Sequence, residues 1–192
     1  MLIRTLSISL LLLALSACEG LFDVAGPPGM SSLRFQHSGF AGGAAGLYSA
    51  MGEVPLLSTG QMPYGDWAYA LRDGAVPPGV FVVASHPAAD GRFDVARISL
   101  PSGVGPGDRI TFLEMCETAP ACGSMSFDIG LHPGTFVALR QCWVRNGELR
   151  VLRLTGRRVA GTFSGTAVCA GVPGETQITG GEFDVAMLDA DG

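Results

Sequence analysis

The sequence predicts an all-β body, an antiparallel β-sandwich of about ten strands with a β-barrel as the alternative. Short apolar segments rich in Val, Ile, Phe, Leu and Thr recur along the chain, as strands require. Turn signals separate these segments, and the chain contains 28 Gly and 12 Pro among its 192 residues. No window shows a sustained apolar period of 3.6 residues, so long helices are not expected.

Each apolar segment is bounded by Gly, Pro, Asp or Asn, which indicates where the strands begin and end. The segment from Trp67 to Arg72 is the best helical candidate, but it is short and also reads as a strand. The predicted strands cover residues 32–38, 45–50, 67–71, 79–86, 92–99, 109–115, 124–131, 135–145, 148–155, 158–169 and 177–188.

The clearest local prediction is a hairpin at Asn146-Gly147, because a two-residue Asn-Gly loop favours a type I′ turn. This turn would place Val144 opposite Leu149. A second turn near Gly156-Arg157 would complete a three-stranded meander. One face of the meander is expected to be core, formed by Leu139, Trp143, Leu152, Leu154, Val159 and Phe163.

The charge of the chain argues against nucleic acid as a partner. Its formal net charge is −5, and all 12 basic residues are Arg. A protein that binds nucleic acid needs a basic face to neutralise phosphates, which an acidic chain of this kind is poorly suited to provide.

The N-terminus has the arrangement of an export signal. Arg4 precedes an apolar stretch from Leu6 to Leu15, which is too short for the ~20 residues that a membrane-spanning helix needs. The stretch ends in Leu15-Ser16-Ala17-Cys18, which resembles the lipobox of bacterial lipoproteins. In that family the cysteine thiol receives a diacylglycerol, the preceding peptide is cleaved, and the new amine is acylated.

This resemblance implies a domain organisation and a location. Residues 1–17 would be a signal peptide, 18–31 a lipidated N-terminus with a short tether, and 32–192 a single β-sandwich domain. Cys18 would carry the lipid that anchors the protein in a membrane. Because Glu19 rather than Asp follows the cysteine, the resemblance favours the outer membrane.

Four further cysteines lie in the body, and an exported chain meets an oxidising compartment. Three pairings are possible. We expect Cys116–Cys122, which closes a small Pro-containing loop, and Cys142–Cys169, which joins neighbouring parts of the meander. Neither C-x-x-C pairs nor clustered histidines occur, so we expect no metal, no redox site and no cofactor.

Known catalytic motifs are not found in the sequence. It contains neither G-x-S-x-G nor H-E-x-x-H, and His37, His86 and His132 are far apart. The tetrapeptide Phe-Asp-Val-Ala recurs at 22–25, 93–96 and 183–186. It has three interpretations: a duplicated unit, carboxylates gathered for a cation, or an ordinary strand pattern with Phe and Val on one face.

Two groups of side chains are candidates for binding. Tyr64, Trp67 and Tyr69 could stack on a sugar or another flat ligand, and the alternative is that they pack in the core. A second group could contact anionic lipid headgroups or an acidic glycan, and its alternative is pairing with acidic residues of the C-terminal segment. That group is formed by Arg145, Arg150 and Arg153.

These observations lead to one functional expectation with two alternatives. The first is a lipid-anchored envelope protein with a binding or structural role and an envelope protein or glycan as partner. The second is an anchored hydrolase of envelope glycans, which needs two carboxylates across a cleft. The third is an accessory subunit of an envelope complex, for which an exposed apolar patch would be the sign.

Overall fold

The computed structural model describes residues 30–53, 65–72, 79–88, 90–113, 122–135 and 137–188. These residues form ten β-strands and one 3-10 turn, Phe40–Gly42, and contain no α-helix, so the all-β prediction is confirmed. The strands are β1 (Ser32–His37), β2 (Gly46–Met51), β3 (Trp67–Arg72), β4 (Val80–Pro87), β5 (Phe93–Leu100), β6 (Arg109–Leu113), β7 (Cys122–Leu131), β8 (Arg140–Leu154), β9 (Arg158–Cys169) and β10 (Val172–Leu188).

All ten strands belong to one continuous sheet. Its pairings lead from β10 through β3, β4, β5, β7, β8 and β9 back to β10. The three remaining strands lie where neighbouring strands of this series diverge. β6 lies between β7 and β8, and the β1–β2 hairpin lies beside β10. The pairings are antiparallel except β3–β10 and β6–β7, which are parallel.

The sheet bends back on itself and encloses one principal core. Phe35 on β1 packs against Phe127 on β7 with 5.3 Å between ring centroids, although these strands are not paired. Burial alternates along the strands, so every second side chain points into this core, as on β10 from Phe183 to Met187. Opposite parts of the sheet therefore pack face to face, as the layers of a sandwich do.

Two glycines within the strands are paired with aromatic residues. Gly181 lies opposite Phe163, and Gly161 lies opposite Phe183 on the same pair of strands. A Cβ atom at Gly181 would come within 2.4 Å of the Phe163 ring, and one at Gly161 within 2.8 Å of the Phe183 ring. Each ring therefore covers the backbone of the opposite glycine, which explains how a glycine-rich chain forms a well-packed sheet.

The predicted hairpin at Asn146-Gly147 is wrong, because the single strand Arg140–Leu154 runs straight through it. Asn146 lies opposite Thr166 on β9, and Gly147 does not have a positive φ. A Cβ atom at Gly147 would lie 2.5 Å from the carbonyl oxygen of Ser164. Glycine is needed here because two strands approach closely, and a turn is not the reason.

The second predicted turn is present between β8 and β9, with Leu154 opposite Val159. A bulge at Leu152 shifts the register beyond that point. Leu152 and Leu139, both assigned to the core from the sequence, are 52% and 54% exposed, whereas Phe163 is buried as expected. The bulge and the missing hairpin together explain why this core face is only partly correct.

Candidate functional site

Several of the predicted site residues fall outside the part of the chain that the structure describes. These are the lipidation candidate Cys18, the aromatic Tyr64 and the cysteine Cys116. Cys122 is disulfide-bonded, and its expected partner is the undescribed Cys116. The structure joins Cys142 to Cys169 with an S–S distance of 2.02 Å, which is the pairing expected from the sequence.

The aromatic group on β3 is packed inside the protein. Trp67 is 1% exposed and belongs to a second, smaller core with Val83, Phe93 and Val95. The ring of Tyr69, which is partly buried, lies 5.1 Å from the Trp67 ring between centroids. Trp67 therefore occupies the core position of the alternative interpretation, and its ring is not offered to a ligand in this structure.

The three candidate arginines do not form one compact patch. All three lie on β8, where Arg153 is eight residues beyond Arg145, a separation of roughly 26 Å along an extended strand. The missing hairpin would have folded this segment back on itself and brought the arginines closer together. Arg153 Nη1 also lies 3.6 Å from Asp184 Oδ2 on β10, so part of its charge is balanced within the protein, as the alternative interpretation expects.

Two histidines, a tyrosine and an aspartate come together near the start of β5, and we call this group the histidine cluster (His37, Tyr48, His86 and Asp94). His86 and Asp94 lie directly opposite each other on β4 and β5. The Tyr48 hydroxyl donates a hydrogen bond of 2.9 Å to the Ala84 carbonyl, and its ring lies 5.8 Å from the His86 ring between centroids. Residues that are distant in the sequence thus come from two strand pairs, β1–β2 and β4–β5, with β2 contacting β4.

The protein environment shifts the proton affinities within the histidine cluster. Burial raises the pKa of Asp94, while the backbone N–H of Gly130, which donates to Asp94 Oδ1 at 2.7 Å, opposes this rise. Burial lowers the pKa of His37, and the charge of Asp94 partly offsets that effect. Burial also raises the pKa of Tyr48 well above its ordinary value, so this hydroxyl acts as a fixed hydrogen-bond donor.

Asp94 and His37 are both shifted toward their neutral forms, which is the property of the histidine cluster that proton exchange would use. Within the described ranges, no three His, Cys, Asp or Glu side chains are arranged to hold a metal ion. His86 Nδ1 is buried without a hydrogen bond among these residues, and its nearest carboxylate oxygen, Asp66 Oδ1, is 3.8 Å away. The one sequence signal at this place was the recurring Phe-Asp-Val-Ala, which contains Asp94.

An open depression of about 460 Å³ lies on the outer surface around Trp143. Arg145, Val172 and Glu175 line it together with the β9–β10 turn. Trp143 was assigned to a core face from the sequence, but it is only partly buried, whereas Cys142 beside it on β8 points into the core. The Trp143 indole N–H is buried without a hydrogen-bond partner among the described residues.

Comparison with known proteins finds no matching family model, no similar curated protein and no similar solved structure. The portion of the chain covered by the structure contains no helix whose length and apolar character would let it cross a membrane.

Proposed function

We propose that this protein is a lipid-anchored component of the bacterial cell envelope whose β-sheet body has a binding or structural role. The observation that carries the proposal is Leu15-Ser16-Ala17-Cys18, placed directly after a basic residue and a short apolar stretch. Acylation of Cys18 would provide a lasting anchor, because each buried methylene contributes about 0.8 kcal/mol and several chains act together.

Two features of the body support this proposal. The Cys142–Cys169 disulfide is typical of proteins that fold in an oxidising compartment outside the cytosol. The folded body begins close to the proposed anchor: Ser31 is buried, and its Oγ accepts a hydrogen bond of 2.9 Å from the Ala186 N–H. Cys18 and Ser31 are 13 residues apart, so they are separated by at most about 45 Å.

The proposal is tested by labelling cells with radioactive palmitate. Wild-type protein should incorporate label and lose residues 1–17, whereas Cys18→Ala should remain unlabelled and uncleaved. Cys116→Ala is the matched control, because it removes a body cysteine and should retain both label and processing. Label on Cys18→Ala, or its absence from wild type, would contradict the anchor.

The membrane in which the anchor lies has its own test. If sorting follows the residue after the lipidated cysteine, Glu19→Asp should move the protein from the outer to the inner membrane fraction. Glu19→Gln, which also removes the native side chain but introduces no aspartate, is the control and should stay with the outer membrane. Recovery of wild-type protein in the inner membrane fraction would contradict the outer-membrane assignment.

Hydrolysis of envelope glycans is the second candidate function, and Asp94 is the observation that favours it. Burial raises its pKa, which meets one requirement of a general acid, and the charge of the neighbouring Asp90 adds to this effect. The test is release of soluble sugar from purified envelope glycan by wild-type protein and by Asp94→Asn. Release that Asp94→Asn abolishes would establish the activity, and no release by wild type would reject it.

A further inference from the structure

We propose that the depression around Trp143 binds a β-linked oligosaccharide, with the indole ring as the stacking platform. The inference deepens the binding role proposed above by naming a ligand class, and it does not depend on acylation of Cys18. The rings of such a chain present apolar C–H faces edged by hydroxyl groups, so they need an aromatic surface surrounded by hydrogen-bonding side chains.

Trp143 is placed on the outer face of the sheet by the alternation of β8. Cys142 and Val144, its neighbours in sequence, are each 1% exposed and belong to the core, so the side chain between them must point outward. Ser126 on β7 and Val168 on β9 lie directly opposite Trp143 on its two sides. The ring is therefore supported by paired strands on both sides and not by a loop.

The edge of the depression carries the polar groups that an oligosaccharide needs. Arg145, two residues along the same strand, supplies donors, and Glu175 on β10 supplies acceptors. Gly171 and Gly174 also line the depression, and both have a positive φ and open space where a Cβ would stand. The polypeptide backbone is thus accessible to ligand hydroxyls at this edge.

The form of the depression suits an extended polar chain better than a compact apolar molecule. Small apolar ligands are usually enclosed on most sides, whereas this depression of about 460 Å³ is open to solvent. The net charge of −5 disfavours nucleic acid, the other common ligand that stacks on aromatic side chains. A saccharide fits both the openness and the mixture of acidic and basic edge groups.

The platform is held in place by the disulfide next to it. Cys142 precedes Trp143 on β8, Cys169 follows Val168 on β9, and the two cysteines lie directly opposite each other. The bond therefore joins the two strands at the residue pair next to Trp143 and Val168, which line the depression. A lining that is held in place before binding loses little conformational entropy on binding, which favours affinity.

The experiment uses tryptophan fluorescence of the full-length mature protein in detergent, because the chain contains only two tryptophans. Trp67→Phe leaves Trp143 as the sole reporter, and Trp143→Phe leaves the buried Trp67 as the matched control. The probes are a neutral β-1,4-linked N-acetylglucosamine hexamer and solubilised peptidoglycan strands, which share this linkage but also carry carboxylates.

At least one probe should change the fluorescence of the Trp143 reporter and leave that of the Trp67 reporter unchanged. In titration calorimetry, Trp143→Ala should weaken binding at least about tenfold, as expected for a central aromatic contact. Arg145→Ser, an exposed substitution, should weaken binding of peptidoglycan strands more than that of the neutral hexamer if the ligand carboxylate is recognised. Equal weakening would assign the site to the neutral sugar chain.

Failure to bind either probe would overturn the proposal, as would undiminished affinity in Trp143→Ala. Should Trp143→Ala fail to fold, Trp143→Phe and Arg145→Ser provide the test, and wild-type affinity in both would likewise overturn it. Cys18→Ala separates this inference from the lipid anchor, since it should bind the same probes with unchanged affinity whether or not acylation occurs.

Discussion

At the scale of single residues, Asp94 links folding to pH. Because the pKa of Asp94 is raised, the folded state favours the protonated carboxyl. The contribution of this carboxyl to the free energy of unfolding is therefore fully present below its ordinary pKa near 4 and is lost as pH rises through the raised pKa. Asp94→Asn keeps an oxygen that accepts from Gly130 but never ionises. In urea unfolding, the variant should therefore gain stability relative to wild type as pH rises above the ordinary pKa near 4. A difference that does not change with pH would contradict this.

His37 acts with the opposite sign. Burial lowers the pKa of His37. The contribution of its imidazole to the free energy of unfolding is therefore fully present above its ordinary pKa of about 6.5 and is lost as pH falls through the lowered pKa. His37→Gln should remove a loss of stability that wild type shows in thermal melting as pH falls below about 6.5. His132→Gln, at an exposed histidine outside the cluster, is the control and should leave that loss in place.

The histidine cluster shows why the candidate sites were hard to predict from the sequence. His37, Tyr48, His86 and Asp94 come from four strands, and nothing local to any of them indicates the others. Trp143 was expected in the core because the predicted register was wrong. The residue types could be read from the sequence. Whether their side chains lie close together depends on strand pairing, which is a long-range property.

At the scale of strands, Gly147 tests the close approach of β8 and β9. Gly147→Ala would place a Cβ atom 2.5 Å from the Ser164 carbonyl oxygen, so the strands must move apart. We expect a loss of about 1–3 kcal/mol in the free energy of unfolding, measured with urea. Gly156→Ala is the matched control, since a Cβ atom there meets nothing within 4 Å, and it should change stability by no more than about 0.5 kcal/mol. Equal effects would contradict the close-approach explanation.

The disulfide between β8 and β9 is the second feature at this scale. Cys142 and Cys169 are 27 residues apart, and joining them restricts the unfolded chain. Replacing both by Ala should lower the free energy of unfolding by about 3 kcal/mol while the folded spectrum is retained. Reduction of the wild type should produce a similar loss, and a variant as stable as oxidised wild type would contradict a stabilising role.

Strand positions could be read from the sequence because their signals are local. Alternating apolar residues and Pro- or Gly-containing turns located nearly every strand to within a few residues, and the turn after Leu154 was correct. The prediction at Asn146-Gly147 was wrong because the same dipeptide suits both a tight turn and a bulged strand that lies close to a neighbouring strand. Only the partner strand, which carries Ser164 and Thr166, distinguishes the two.

At the scale of the whole molecule, β10 completes the sheet. It pairs with β9 along most of its length, with β1 between Ile178 and Asp184, and with β3 at Met187 and Leu188. The pairing of Ser32 with Asp184 joins residues about as far apart in sequence as the body allows. Such long-range pairings cost loop entropy before they stabilise the fold, so we expect slow folding and a single cooperative transition. Local sequence patterns do not specify these pairings.

Truncation of the chain after Gly180 tests this dependence on β10. The truncated protein would lose Phe183, which covers Gly161, and would leave β1, β3 and β9 without much of their pairing. Since three strands lose their neighbour at once, we expect the entire body to lose its cooperative unfolding transition, followed by circular dichroism and tryptophan fluorescence. Leu188→Ser, at the partly exposed end of the same strand, should retain that transition and change stability by about 1 kcal/mol or less. A truncated chain that still unfolded cooperatively would show that the remaining strands form a core without β10.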